Sequence, residues 1–429
     1  MYLKLGKYTI NETYLQLLIS GILLITYSYM GSMGKFIVFP YVVYLVLRND
    51  IQLYPALVLQ LLTENFTLYI ILISYLILII VHNREIIQTE FKVLFIGYLL
   101  LLVYIIFHFL YRYFTSSTDI LILIANYSIF LNLSPFFAGI VYRKNLNRAN
   151  YNDCLTAIVL ILITGLIIHA RLLFYAIPFL FLYSAVQLFK NNNRSASGLI
   201  LFVLFSGVLL FALIKMDTFT IILTVFVSLV VYISYTNNYQ VLLKFFSSAL
   251  PFVFTILFMI SVSLAFGDKR TNSDTLNQEI TLNNFFERGM AKLIDDRVPY
   301  WVAATKSIIE EENIFIPVVI KIFEAETETG GFMEVSFGAH TLYIEFIRVY
   351  GLIPGIYLLT LYILIFVKST RRLFSQKMER LHLMFLAVSL SVSSIGAMGG
   401  TYPLGLGFAL LNMGVVGFIY TYYNQKVNV

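Results

Sequence analysis

The sequence predicts an all-α, polytopic transmembrane helix bundle with one large extracytoplasmic loop. Of its 429 residues, 59% are hydrophobic and only 12% are charged, whereas about a quarter of the residues of a soluble domain are charged. The mean hydropathy is +0.84. The apolar residues also come in runs long enough to cross a hydrocarbon core, for which a helix needs about 20 residues.

The apolar runs predict twelve to fourteen spans. The range remains open because two of the runs, 35–47 and 51–62, are short and could form half-spans or one irregular hairpin. The predicted spans cover residues 13–30, 35–47, 51–62, 66–82, 91–111, 118–142, 154–170, 172–189, 198–214, 218–235, 242–266, 342–367, 381–398 and 402–423.

The positive charges predict the orientation. With the N-terminus inside, the cytoplasmic segments hold Lys4, Lys7, Arg48, Arg84, Arg143, Lys144, Arg148, Lys190, Arg194, Lys244, Lys368, Arg371, Arg372, Lys377, Arg380 and Lys426. The short loops on the other side hold Lys35, Arg112, Arg171 and Lys215. Cytoplasmic loops carry an excess of Lys and Arg, so we expect both termini in the cytoplasm and the segment 267–341 outside.

The charge and the cysteine content limit the classes of binding partner and of site that we expect. The net charge of +6 is spread over short loops as an orientation signal, so we expect a lipid bilayer and no nucleic acid as partner. The single Cys154 excludes an intrachain disulfide and any multi-cysteine metal site. Lys4 and Lys7 precede an apolar stretch without a clear cleavage site, which favours a first membrane helix over a signal peptide.

The segment 267–341 separates a first bundle part, 1–266, from the last spans, 342–429. It holds thirteen of the 23 acidic residues and the only tryptophan, Trp301. A segment of about 75 residues is longer than an ordinary connection, and we expect it to dock on the outer face of the bundle. Within it, the spacing of apolar residues predicts an amphipathic helix over 298–309 that would suit the membrane surface.

Three elements of the sequence occur in a set order along the chain. They are His169-Ala170-Arg171 at a predicted outside turn, Arg297-Val-Pro-Tyr-Trp301-Val-Ala-Ala304 in the long loop, and His340-Thr-Leu-Tyr343-Ile344, with Gly351 eleven residues after the histidine. They resemble, in that order, the S-R pair, the R-x-x-x-W-x-x-A element and the H-N-x-Y-L element of the superfamily of O-antigen polymerases and ligases. This sequence departs from the family at Thr341, where Asn is usual, at Pro354, and at 316–331, where a glycine-rich segment is replaced.

The resemblance implies glycosyl transfer from a polyprenyl-diphosphate-linked glycan without a metal or another cofactor. Guanidinium groups suit the leaving diphosphate because their planar fork donates two parallel hydrogen bonds. We assign Arg171 and Arg297 to the diphosphate, with Arg288 and Arg270 as further candidates and Trp301 and Tyr343 as substrate contacts. Alternatively, Arg171 is an interfacial anchor, and Arg297 forms an ion pair with Asp295 or Asp296.

The acceptor hydroxyl needs a base, and a neutral imidazole has a suitable pKa. His340 is the best-placed histidine, at the membrane edge of the loop, and Glu345 is the alternative base or orienting partner. Arg348 follows Glu345 at spacing i, i+3 and could simply neutralise it. We expect His82, His108, His169 and His382 to be structural, and the Glu324–Glu328 run to be a solvated face unless it binds sugar hydroxyls.

The expected function is therefore an O-antigen or polysaccharide polymerase in the bacterial inner membrane. It would join undecaprenyl-diphosphate-linked repeat units on the outer face by inverting transfer, and a chain-length regulator is a candidate partner. One alternative is an O-antigen ligase, which needs the same donor site. A second, from another class, is a lipid-linked oligosaccharide flippase or transporter, although transporters more often carry midplane ionisable groups and internal repeats.

Overall fold

A computed structural model describes the chain in ranges separated by gaps. These are residues 2–5, 8–11, 19, 22, 91–115, 133, 135–137, 139–140, 173–190, 199–200, 202–207, 219–266, 285–309, 323–326, 332–335, 341–398 and 410–427. The predicted spans 35–47, 51–62, 66–82 and 154–170 lie outside these ranges, as do most residues of 13–30 and 118–142.

The described residues form a helical protein with two short β-hairpins. Its elements are β1 (Tyr2–Leu5), β2 (Tyr8–Asn11), α1 (Lys92–Thr115), α2 (Leu173–Lys190), α3 (Phe219–Thr236), α4 (Gln240–Phe246), α5 (Leu250–Phe266), α6 (Phe285–Lys292), α7 (Val298–Ile309), β3 (Phe323–Glu326), β4 (Phe332–Val335), α8 (Leu342–Tyr350), α9 (Leu352–Phe374), α10 (Arg380–Ser394) and α11 (Val415–Val427). A π-helical turn joins α6 to α7, and another precedes α11.

Both hairpins are antiparallel. In the first, Tyr2 pairs with Asn11, so the chain begins with a hairpin immediately before the predicted first span. In the second, Glu324 pairs with Glu334, which places part of the acidic stretch of the loop in a β-hairpin. The strand β3 lies against α7.

Three described helices are long and apolar enough to cross a membrane: α1, α9, and α10 extended to Met398. The pair α4–α5 is a fourth candidate if its two helices count as one bent span. The predicted spans at 91–111, 172–189 and 218–235 are confirmed as helices. The chain is therefore a helical membrane protein.

The helix α10 lies at the centre of the described bundle. In its most apolar window 89% of residues are buried, against 33% for α1 and 44% for α9. It packs against α2, α3, α5 and α11. The buried Ser391 hydroxyl bonds within the helix, because its Oγ donates to the Ala387 carbonyl at 2.8 Å. This hydroxyl therefore needs no water.

The helix α1 lies at the periphery and has two apolar faces. Val93, Leu100, Phe107 and Phe114 recur every seven residues and are 67–82% exposed, as expected for a face toward lipid. The opposite face packs against α9, where Gly97 lies against Tyr357. Farther along α1, the Tyr104 hydroxyl donates to the carbonyl of Tyr350, the last residue of α8, at 3.4 Å. Because the later residue of α1 contacts the earlier residue of the partner segment, α1 and α9 run in opposite directions.

Two of the predicted spans are interrupted. The span 242–266 is divided at residues 247–249 into α4 and α5, whose axes differ by 68°. Pro251 lies in the first turn of α5, where its missing N–H leaves no helical bond unmade. The Ser248 hydroxyl accepts from the Leu250 N–H at 3.2 Å, which helps to start the second helix.

The span predicted at 342–367 is two helices, α8 and α9, joined at Gly351. This glycine has φ 93°, a conformation that L side chains rarely adopt. The helix α8 folds back against α9. The two backbones approach so closely that a Cβ atom added to Gly355 would lie 2.5 Å from the Phe346 carbonyl oxygen. The Phe346 and Tyr362 rings are in contact as well, with centroids 6.3 Å apart.

Candidate functional site

The helix predicted over 298–309 forms as Val298–Ile309, but its apolar face contacts protein. Trp301 is 1% exposed and Ala304 is fully buried. Ala304 packs against Ile344 of α8, and α7 also contacts α5. The expectation that this face lies on the membrane surface is therefore wrong for Trp301 and Ala304. The reason is that α8 folds back and offers a protein surface there.

The predicted arginines are described to different extents. Arg297 is the last residue of the π-helical turn before α7 and is partly buried. Arg288 lies in α6, and its side chain lies outside the described atoms. Arg171, Arg270 and His340 fall outside the described residues, so their roles stay predictions.

The residue after the candidate base is deep in the bundle. Thr341 is fully buried, and its hydroxyl lies 3.7 Å from Met259 Sδ, near the middle of α5. The helix α8 thus begins beside the middle of α5, because the turn at Gly351 sends α8 back along α9. The predicted position of His340 at the membrane edge stays a prediction.

A buried polar cluster joins α8, α9, α10 and the π-helical turn before α11. The Tyr343 hydroxyl donates to the Ser394 carbonyl at 2.6 Å, and the Tyr362 hydroxyl donates to the Ser393 carbonyl at 3.4 Å. The Asn412 amide donates to Ser393 Oγ at 2.6 Å. These carbonyls lie at the C-terminal end of α10, where a helix leaves carbonyl groups without intrahelical partners. The Tyr343 hydroxyl is therefore bound to the backbone of α10, and the expected contact of Tyr343 with substrate stays a prediction.

Two buried polar atoms of this region have no hydrogen-bond partner among the described residues. They are Trp301 Nε1 and Asn412 Oδ1. Buried polar atoms in proteins nearly always have a partner, either in the protein or in ordered water. These two atoms are accordingly available to a water molecule or to a hydroxyl group of a ligand.

Glu345, the alternative base, forms a buried ion pair with Arg348. Arg348 Nη2 lies 3.0 Å from Glu345 Oε2, and Arg348 Nε donates to Glu345 Oε1 at 3.1 Å. The two residues are 1% and 6% exposed. Glu345 and Arg348 thus neutralise each other, which is the alternative interpretation of their i, i+3 spacing. The guanidinium group binds the carboxylate at two points and holds it in place.

Arg112 lies at this end of the bundle, and no sequence motif singled it out as a candidate functional residue. Charge counting placed it in an outside loop, but it lies in the last turn of α1 and is fully buried. It continues the buried stripe formed by Tyr98, Leu101, Ile105 and His108. The recurrence of this stripe every three or four residues would have identified Arg112 as an inward-facing arginine.

The other histidines that are described have structural surroundings. His108 stacks on Tyr104 with ring centroids 5.5 Å apart. The ring Nδ1 of His382 lies 2.9 Å from the Tyr423 hydroxyl, which also accepts from the Glu379 N–H. Both rings are buried, in agreement with the structural role expected for them. His82 and His169 fall outside the described residues.

The structure thus packs α7, which carries Trp301, against α8, which carries Tyr343 and the Glu345–Arg348 pair. Arg297 lies one turn before Trp301. Within the described ranges, no group of three or more His, Cys, Asp or Glu side chains is arranged to hold a metal ion. In comparisons with known proteins, no family model, no curated protein and no solved structure matches this chain.

Proposed function

We propose that the chain is a membrane glycosyltransferase of the O-antigen polymerase type, which joins polyprenyl-diphosphate-linked repeat units. The observation that carries the proposal is the packing of α7 against α8. This packing brings the Arg297–Trp301 element to the helix that follows His340, although the two elements are about forty residues apart in the sequence. Together they form one candidate site on a helical membrane bundle.

In the proposed reaction, a sugar hydroxyl of the acceptor attacks the anomeric carbon of the donor. The new C–O bond forms as the bond from the anomeric carbon to the diphosphate oxygen breaks, and the lipid diphosphate leaves. The hydroxyl proton passes to the imidazole of His340. Arg171 and Arg297 stabilise the negative charge that develops on the diphosphate. A single displacement of this kind inverts the anomeric configuration.

Glu345 has a supporting role in this proposal. Its carboxylate is bound at both oxygens by Arg348, which fits a residue that fixes the position of α8 better than one that exchanges protons. Arg288 and Arg270 remain further candidates for the diphosphate. The aromatic face of Trp301 is covered by protein, so its contact with substrate would be through the indole N–H.

The test is an assay with purified protein in detergent and a lipid-linked repeat unit as the only substrate. A polymerase forms a ladder of longer lipid-linked products. Arg171→Ala and Arg297→Ala should each lower the yield at least a hundredfold, as loss of one charge-stabilising donor does in other enzymes. His340→Ala should lower it by a similar factor, because it removes the general base. Lys306→Ala, an exposed cation on the same helix as Trp301, is the matched control and should keep full activity.

The same assay separates the alternatives. A transporter forms no glycosidic bond in detergent, where there is no membrane to cross. A ligase extends nothing with this substrate alone and gives product only when lipid A core is added. Wild-type ladders from the three variants would contradict the proposed site, and full activity of Arg297→Lys would show that a two-pronged contact with phosphate is not needed.

A further inference from the structure

A basic groove lies at the end of the bundle away from the candidate site. It encloses about 780 Å³ between the N-terminal turn of α1, the C-terminal turns of α9 and the middle of α11. The basic groove is defined by its cations Lys92, Lys368, Arg371 and Arg372 and by the aromatic residues Phe91 and Tyr420. By the distribution of positive charges along the chain, this is the end predicted to face the cytoplasm.

The cations of the basic groove converge from two helices. Arg371 and Arg372 lie three and four residues after Lys368 on α9, so all three lie on one side of the helix. Lys92 begins α1 on the other side, where the helix dipole adds partial positive charge. Among the lining residues that the structure describes, neither Asp nor Glu is found. The described lining of the groove therefore carries four cations and no carboxylate.

Aromatic rings hold two of these cations in position. Lys368 Nζ lies 4.3 Å from the centroid of the Phe91 ring, and the guanidinium carbon of Arg372 lies 5.7 Å from that of Tyr420. Both distances are in the range of cation–π contacts. Phe91 itself is 2% exposed and packs edge to face on Tyr420 at 5.0 Å. The two cations thus rest on a buried, rigid aromatic pair and are less free to turn away than ordinary surface cations.

The wall of the basic groove continues into the lipid-facing surface. Val93 is 82% exposed and Leu364 is 42% exposed, and both line the groove. A soluble phosphate would satisfy the cations but leave this apolar wall uncovered. A phospholipid satisfies both, because its headgroup meets the cations while its acyl chains lie along the exposed faces of α1 and α9. Basic pockets between membrane helices on this side are known to hold anionic headgroups.

We propose that the basic groove binds the headgroup of an anionic phospholipid. The inference is independent of the glycosyl-transfer proposal, since the two sites lie at opposite ends of α9. Bound lipid would tie α1, α9 and α11 together at this end, because its headgroup would contact cations of both α1 and α9.

Lipid binding to the full-length protein in detergent tests the proposal, with native mass spectrometry to count bound lipids during titration. We expect phosphatidylglycerol to bind at least tenfold more tightly than phosphatidylcholine. Affinity should fall about fivefold for each cation removed, so Lys368→Gln/Arg371→Gln/Arg372→Gln should abolish the preference. The single variant Arg371→Gln, at an exposed position, gives the one-charge step should the triple variant not fold.

The matched control is Lys244→Gln/Lys377→Gln/Arg380→Gln. It removes the same charge from exposed positions outside the lining of the basic groove, and it should keep the wild-type preference. Equal loss in the control would overturn the proposal in favour of general surface attraction. Equal binding of the two lipids by wild-type protein would overturn it as well, as would inorganic phosphate displacing the lipid at millimolar concentration.

Discussion

The Tyr343 hydroxyl donates to the Ser394 carbonyl at 2.6 Å, and this contact joins the beginning of α8 to the end of the central helix α10. Both residues are buried, and they are 51 residues apart in the sequence. The carbonyl lies at a helix end, where intrahelical partners run out, so the tyrosine supplies a bond that α10 cannot make for itself.

Tyr343→Phe should therefore lower the free energy of unfolding by about 1–3 kcal/mol, because the ring is kept while a buried carbonyl loses its donor. Unfolding in detergent by heat or denaturant measures the change. Tyr113→Phe is the matched control, because Tyr113 is exposed. An equal effect of the two substitutions would show that the bond to Ser394 contributes nothing specific.

Gly351→Ala should also destabilise the protein, by about 1–3 kcal/mol, because φ 93° is strained for a residue with a Cβ atom. The control is Gly207→Ala at a helical position with open space around it. There alanine is expected to be neutral or slightly stabilising. Similar unfolding curves for the two variants would argue against the turn between α8 and α9.

The Glu345–Arg348 pair predicts strong coupling. Glu345→Leu or Arg348→Met alone should cost about 3–5 kcal/mol, because each leaves a buried charge without its counter-charge, while the double variant should recover most of the loss. Unfolding of all four proteins in a double-mutant cycle gives the coupling energy. Strict additivity would contradict the ion pair.

The double variant also tests the role of Glu345 in activity. If the carboxylate only positions α8, Glu345→Leu/Arg348→Met should keep much of the polymer-forming activity once the fold is restored. A stable double variant without activity would instead return Glu345 to the list of bases.

Gly417→Ala should destabilise the contact between α11 and the segment that contains Phe136 and Gly139. A Cβ atom at Gly417 would overlap with the Phe136 carbonyl oxygen, and one at Gly139 would overlap with that of Gly414. Small residues allow such close approach of membrane helices, and overpacking costs about 1–3 kcal/mol. Gly139→Ala should have a similar effect on unfolding, whereas Gly207→Ala should not.

Much of the helical architecture was predictable from hydropathy, since α1, α2 and α3 correspond to apolar runs of the expected length. The interruptions were not. Residues 342–367 are uncharged throughout except for Glu345 and Arg348, and hydropathy does not distinguish a straight helix from one that folds back. The fold-back depends on Gly351 and on the close approach of Gly355 to Phe346, and the chain has 23 glycines.

The candidate site was predictable in its residues more than in its geometry. The α7 helix was expected with the right ends, but the partner of its apolar face was not, because α8 was assigned to a span. The interaction of Glu345 with Arg348 followed from their spacing. Tyr343 was expected to contact substrate, yet its hydroxyl meets a carbonyl on a helix that comes later in the sequence, and no local pattern carries that information.

The fold-back at Gly351 also has a consequence for biogenesis. The machinery that inserts nascent chains selects segments by hydrophobicity, and it meets 342–367 as a single hydrophobic segment. In the finished protein only α9 has the length and hydropathy of a span. If the whole segment enters the bilayer as one unit, the bend at Gly351 forms only after insertion. Glu345 and Arg348 lie on the same helical turn, so in that case each charge would enter the membrane with its counter-ion.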